Sequence, residues 1–191
     1  MLPHHERPAT LPEAVALAER LSSLVPTLCT GRLVLRSPRI SDFSLYAEIA
    51  LSPYGRFWVE QPDRESVWYD FVNMIACWLL RGHGLWAVER GQEGELIGFV
   101  LIGFEPGDHE PELGYMFAEQ HQGVGYAREA ALRVKRFAFA DLGFATLVST
   151  IDAENGASLK VAERLGGVRD RAVEQAHGHK VMVYRYSAVK A

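Results

Sequence analysis

Apolar positions along the first third of the chain recur at helical spacing. Thr10-Leu11-Pro12-Glu13 reads as a capping box, followed by Ala14, Leu17, Ala18, Leu21, Leu24 and Val25 until Pro26 stops the run. The pattern predicts a short amphipathic helix packed onto the domain. Leu33 to Leu35 alternates as a strand, Ser41 and Asp42 open a helix toward Leu51, and Asp63 to Leu80 forms a longer one. The stripe of that longer helix is Val67, Trp68, Phe71, Ile75 and Trp78. Strand-like runs at Leu85–Glu89 and Leu96–Phe104 flank a hairpin connection, Gly91-Gln92-Glu93-Gly94, and a second turn at Glu105–Asp108 leads to a strand from Glu112 to Phe117. Residues 125 to 142 are strongly helical. Ala127, Ala131, Val134 and Ala138 form the inner face, and Arg128, Glu129, Arg133 and Arg136 the outer one. Glu129 and Arg133 are spaced as an i,i+4 pair. A strand at Thr146–Ile151, a helix at Gly156–Leu165 ended by Gly166-Gly167, and a strand at Val181–Tyr186 complete a mixed α/β domain.

Composition narrows the class. The 191 residues suit one domain with a terminal extension, and 48% hydrophobic with 23% charged residues is ordinary for a soluble globular protein. A formal charge of −4 leaves no basic footprint for nucleic acid. Cys29 and Cys77 lie far apart and fit a reducing cytoplasm rather than a disulfide framework. No cationic region followed by an apolar core opens the chain, so neither a signal peptide nor a membrane span is expected. His83, His109, His121, His177 and His179 show no metal-ligand spacing, and no metal is expected. The four tryptophans, Trp58, Trp68, Trp78 and Trp86, read as core or pocket wall.

The chemical signal is Gln122-Gly123-Val124-Gly125-Tyr126-Ala127, set between a strand and a long helix. Spaced glycines let the backbone turn tightly, and the N–H groups of residues 123 to 127 then face outward at a helix N-terminus, where the dipole favours an anion. Each charge-assisted bond contributes ~1.5–3 kcal/mol, enough to hold a pyrophosphate without a basic cluster. A plain connecting turn is the alternative. A Walker loop lacks its Gly-Lys-Ser/Thr, a dinucleotide fingerprint lacks a third glycine where Arg128 stands, and no Gly-x-Ser-x-Gly elbow occurs.

Gln122-x-x-Gly125-x-Ala127 resembles the signature of the GNAT acetyltransferase superfamily. The run from Gly114-Tyr115-Met116-Phe117 through Glu129-Ala130 is similar to its RimJ/RimL-type branch, as are Thr30 to Arg36, Ile97-Gly98-Phe99 and Asn155-Gly156-Ala157-Ser158 with Leu165-Gly166. The resemblance covers about residues 30 to 187. It implies a single mixed, mostly antiparallel sheet flanked by helices over residues 30–191, with residues 1–29 as an extension bearing one extra helix. It implies acetyl-coenzyme A as co-substrate, held by Gln122, Gly123, Val124, Gly125, Tyr126 and Ala127. The pantetheine arm would lie where the strand before the motif splays from the next, and the Phe117 N–H would meet the thioester carbonyl. Asn155 would contact coenzyme or substrate, although Asn155 and Ser158 also suit simple helix capping.

Many family members carry a tyrosine seven residues after this Asn. Here the residue is Ala162, so the resemblance leaves Ser158 as the hydroxyl near the departing sulfur, with Tyr184 and Tyr186 as weaker substitutes. Glu112 is the candidate base, facing either the amine or solvent, and Glu110 shares its parity. The implied reaction is direct acetyl transfer to a primary amine in a ternary complex, with no covalent intermediate. The acceptor, a small molecule or a protein N-terminus, would be chosen by residues 52 to 66 and 105 to 111. A non-catalytic acyl-coenzyme A sensor of the same fold is the alternative, and a homodimer stays open.

Overall fold

A computed structural model describes residues 3–58, 62–91, 94–176 and 181–188. Among them, strands β1 (Leu28–Cys29), β2 (Leu33–Arg36), β3 (Leu85–Arg90), β4 (Glu95–Gly103), β5 (Glu112–Phe117), β6 (Thr146–Asp152), β7 (Val168–Arg169) and β8 (Val181–Ser187) form one sheet. Its order is β1-β2-β3-β4-β5-β6-β8-β7. Every neighbouring pair is antiparallel except β5 and β6, which run parallel and register at a single pair, Glu112 with Val148. The expected mixed, mostly antiparallel sheet is therefore present. β1 lies inside the 1–29 segment, so the sheet begins just before residue 30.

Period-2 alternation assigns the two faces of the sheet. Trp86 and Val88 join Val100, Leu35 and Leu147 in one core, beneath α4 (Tyr126–Ala140) and α5 (Gly156–Arg164). Leu85, Ala87 and Phe99 join Phe71 and Tyr46 in the other, beneath α2 (Phe43–Ala50) and α3 (Arg64–Arg81). The α3 stripe is realised with a rotation: Val67, Phe71, Met74 and Cys77 are buried, and Trp68, Ile75 and Trp78 are partly covered. Trp78 Nε1 donates to the Leu85 carbonyl at 2.9 Å, tying α3 to β3. Asp63 caps α3, accepting from the Ser66 N–H at 2.7 Å, and Gly82 ends it at a φ of +74°.

Three expectations need correction. The N-cap of α1 (Pro12–Ser22) is Leu11, with no side-chain cap bond, so Thr10 and Glu13 form no capping box. Pro12 explains the shift, because it suits the first helical position and holds the preceding residue extended. The helix also buries none of its residues; Leu17 is 54% and Leu21 45% exposed, and of the predicted stripe Val25, just past the helix, is the residue that packs against the core. Glu129 pairs with Arg32 of the β1–β2 connection rather than with Arg133. The short strands β1 and β7 and the helix α6 (Arg171–Ala176) were not predicted. Gln92 and Glu93 of the expected hairpin lie outside the described residues, although Arg90 and Glu95 on either side are paired.

Candidate active site

The parting of β5 and β6 makes the site. The Val148 N–H donates to the Pro111 carbonyl at 3.1 Å, and beyond that point side chains replace the ladder. Ser149 Oγ donates to the Leu113 carbonyl at 2.6 Å, and the Thr150 N–H donates to Glu112 Oε1 at 2.7 Å. On the other side, the Ala118 N–H donates to the Ile97 carbonyl at 3.1 Å. Antiparallel alternation then turns the N–H and C=O of Phe117 away from β4 and into the parting. The carbonyl accepts from Gln122 Nε2 at 2.9 Å, while the N–H meets no acceptor among the described residues. Gly98, opposite Phe117, lets the strands approach this closely, since a Cβ there would lie 2.4 Å from the Met116 carbonyl oxygen and 2.6 Å from the Phe117 ring.

Past a short 3-10 turn at Glu119–His121, the chain swings into α4 through Gly123 and Gly125, at φ of +77° and +88°. Side chains at such angles are strained, which is why glycine stands at both. The first bond into the helix runs from the Glu129 N–H to the Gly125 carbonyl at 3.1 Å. The N–H groups from Gly123 through Val124, Gly125, Tyr126 and Ala127 to Arg128 meet no acceptor among the described residues. Gln122 differs from the rest of the motif. Its N–H donates to the Glu119 carbonyl and its side chain to Phe117, so it braces the turn from behind.

Glu112 and the distant pair Asn155 and Ser158 line one cleft with Tyr115, Trp58 and Phe57. The Glu112 carboxyl occupies a desolvated recess, and that burial pushes its pKa from 4.5 up to about 7. The charges of Asp108 and Glu105 push the same way, and the Thr150 N–H opposes them. Glu112 is thus half-buried and bonded to the backbone of β6. Glu110, of equal parity, is committed elsewhere: it binds Arg185 and accepts from Thr146 Oγ1 at 2.7 Å, and the Arg185 contact holds its pKa down.

Asn155 caps α5, its Oδ1 accepting from the Ser158 N–H at 3.1 Å, which leaves the Ser158 hydroxyl with no partner among the described residues. Tyr184 and Tyr186 do not enter the cleft; their hydroxyls meet Glu163 at 3.2 Å and Ser149 at 3.2 Å. Sequence reasoning missed Tyr115, the phenol that does enter. Its hydroxyl donates to the Ser158 carbonyl at 3.0 Å, and burial pushes its pKa upward. Its place three residues after Glu112 and two before Phe117 was the available signal. Ala162 is fully buried in the core.

Phe57 and Trp58 come from the 52–66 segment expected to face the acceptor, of which residues 59–61 lie outside the described residues. Among the described residues no group of three His, Cys, Asp or Glu is placed to hold a metal. His83 is buried with Nδ1 2.8 Å from the Ile102 carbonyl oxygen; His177 and His179 lie outside the described residues. Cys29 and Cys77 are free and neither lines the cleft. A wider depression at the sheet edge lies among Arg169, Arg171 and Arg185. Two of its guanidinium groups are already committed, Arg169 to Glu174 and Arg185 to Asp170 and Glu110.

A β-sheet opened between two parallel neighbours, with bare backbone donors at the adjoining helix start, fits an acyltransferase fold. The chain belongs to the GNAT acetyltransferase family, whose domain matches residues 32–168. It is similar to an acetyltransferase of Agrobacterium tumefaciens, with 38% identity and a TM-score of 0.81 over 86% of this chain and 95% of that one. YkkB of Bacillus subtilis is 39% identical over 90 residues, a match spanning 45% of this chain and 52% of YkkB. At the level of fold, RimJ of Mycobacterium smegmatis in complex with CoA-disulfide matches with 17% identity and a TM-score of 0.65, over 86% of this chain and 88% of that one. No described helix is long and apolar enough to cross a membrane.

Proposed function

We propose that this chain transfers the acetyl group of acetyl-coenzyme A to a primary amine, by direct attack within a ternary complex. The observation that carries the reading is the shared cleft of Glu112 and Ser158, open to the parting into which the Phe117 N–H faces. The donors from Gly123 to Ala127 would take the pyrophosphate, and Asn155 would fix the start of α5 beside the pantetheine arm.

The chemistry follows from charges. An ammonium has no lone pair, so the amine must lose a proton; Glu112, half-ionised near neutral pH, accepts it directly or through water. As nitrogen attacks, the thioester oxygen gains charge, and the Phe117 N–H stabilises it. The departing thiolate is stabilised by a hydrogen bond from the Ser158 hydroxyl, whose backbone Tyr115 secures, and takes its proton from solvent. No cysteine in the cleft offers an acyl-enzyme route. The acceptor is a small-molecule amine or a protein N-terminus, and the reaction would run in the cytoplasm.

The buried Ala162, where many relatives carry a tyrosine, is compatible with the rival reading of a sensor that binds the acyl-coenzyme and does not turn it over. Thiol release from acetyl-coenzyme A, followed across a panel of amines and amino-terminal peptides, separates the two. Saturable release that depends on an amine supports transfer. Tight coenzyme binding without release by any amine would leave the sensor.

A further inference from the structure

Glu129 stands in the first turn of α4, beside the bare N–H groups of the glycine turn. A carboxylate at such a place is drawn to those donors by the helix dipole, and its charge repels any anion that needs them. Here it is held away. Thr30 Oγ1 donates to Oε1 at 2.5 Å, and the Arg32 N–H donates to the same oxygen at 3.1 Å. Arg32 Nε and Nη2 reach Oε2 at 2.7 and 2.6 Å. Although Glu129 is partly desolvated, which raises its pKa, the Thr30 and Arg32 contacts outweigh this and keep it ionised.

The same guanidinium holds the turn itself. Arg32 Nη1 donates to the Val124 carbonyl at 3.2 Å, and the group lies 4.6 Å from the centre of the Tyr126 ring. A Cβ on Gly125 would sit 3.6 Å from Nη2. One side chain from the β1–β2 connection thus touches residues on both sides of Gly125 and neutralises the acid behind them.

We propose that Arg32, with Thr30, is a positioning residue for the coenzyme: it cancels the charge of Glu129 and orients the Val124 carbonyl so that the turn offers an anion only donors. The inference rests on the coenzyme reading given above. It separates from a scaffolding role by the sign of one effect. Wild type carries a neutral pair, Arg32→Met leaves a net negative charge, Glu129→Gln a net positive one, and the double variant is neutral again.

The experiment is calorimetric titration of all four proteins with coenzyme A, at low and high salt, alongside kcat and KM for acetyl-coenzyme A. Arg32→Met is expected to weaken binding about tenfold, the scale of one uncompensated charge at a partly exposed site. That loss should appear in KM rather than kcat and shrink in high salt. Glu129→Gln should bind as tightly as wild type or more tightly, and the double variant should recover most of the loss. If Glu129→Gln and Arg32→Met both weaken binding, and the double variant more so, the compensation idea is wrong. Should Arg32→Met fail to fold, Glu129→Gln alone decides by the same sign. Failure of wild type to bind coenzyme A would instead remove the reading on which the clamp depends.

Discussion

Replacing Glu112 with Gln tests the site through stability and turnover together. The folded state binds the Glu112 proton more tightly than the unfolded chain does, with a pKa of about 7 against 4.5. Folding therefore takes up a proton between these values, and stability falls as pH rises from 4.5 to about 7. Below 4.5 the penalty is absent; above 7 it is complete, about 3 kcal/mol at most. Glutamine keeps an acceptor for the Thr150 N–H and removes the charge, along with its repulsion from Asp108 and Glu105. Urea unfolding should thus find the variant close to wild type near pH 4.5 and more stable near pH 8. Its turnover should nevertheless fall. A lysine-like amine is neutral in about one molecule in 2,500 at pH 7, a penalty of ~4.6 kcal/mol, against ~1–1.4 kcal/mol for an α-amine. The loss should be severe for the first class and mild for the second, and raising the pH should recover part of it. A constant stability difference across pH would mean a solvated carboxylate, and wild-type rates with an unchanged pH profile would take Glu112 out of proton transfer.

Other substitutions probe separate parts of the cleft. Ser158→Ala should lower turnover by up to ~10²–10⁴ with acetyl-coenzyme A affinity nearly unchanged; stability should hardly move, because the Asn155 cap uses the Ser158 backbone. Turnover within a factor of about two of wild type would remove its hydroxyl from the chemistry. Gly125→Glu places a side chain at a φ of +88° and a repelling charge at the turn, so calorimetry should show affinity collapsing while chemical unfolding shifts by only ~1–2 kcal/mol. Unaltered affinity would move the coenzyme elsewhere. Gly98→Ala should push β5 at Phe117 and destabilise the fold by ~1–3 kcal/mol while raising KM for acetyl-coenzyme A; a variant with wild-type stability and kinetics would show that β5 yields freely.

Long periodic elements were legible in the sequence because their burial repeats every 3.6 or 2 residues; α3, α4, β4 and β5 fall where the pattern put them. β1 and β7 were not, since two residues carry no period and their pairing is decided by their neighbours. The α1 stripe identified an apolar face but held no information about what covers it. In the site, the glycine turn could be read because positive φ restricts residue type. The inward aim of Glu112 could not, because strand parity leaves two faces open until the rest of the sheet is placed. Tyr115 and Arg32 were missed for a further reason: their partners lie 43 and 97 residues away, where spacing carries no signal.

The single register pair between β5 and β6 divides the sheet mechanically. β6 and β8 are joined over seven pairs, and β1 to β5 form a continuous ladder of their own. Backbone hydrogen bonds are fewest at this seam, where one core and the side chains of Thr146, Ser149 and Arg185 join the halves instead, so opening of the sheet is expected to begin here. A ligand seated between the halves binds only when they are aligned, and so raises the free energy of that opening. Amide exchange in β6 and β8 would then slow on coenzyme binding even at residues that never touch it.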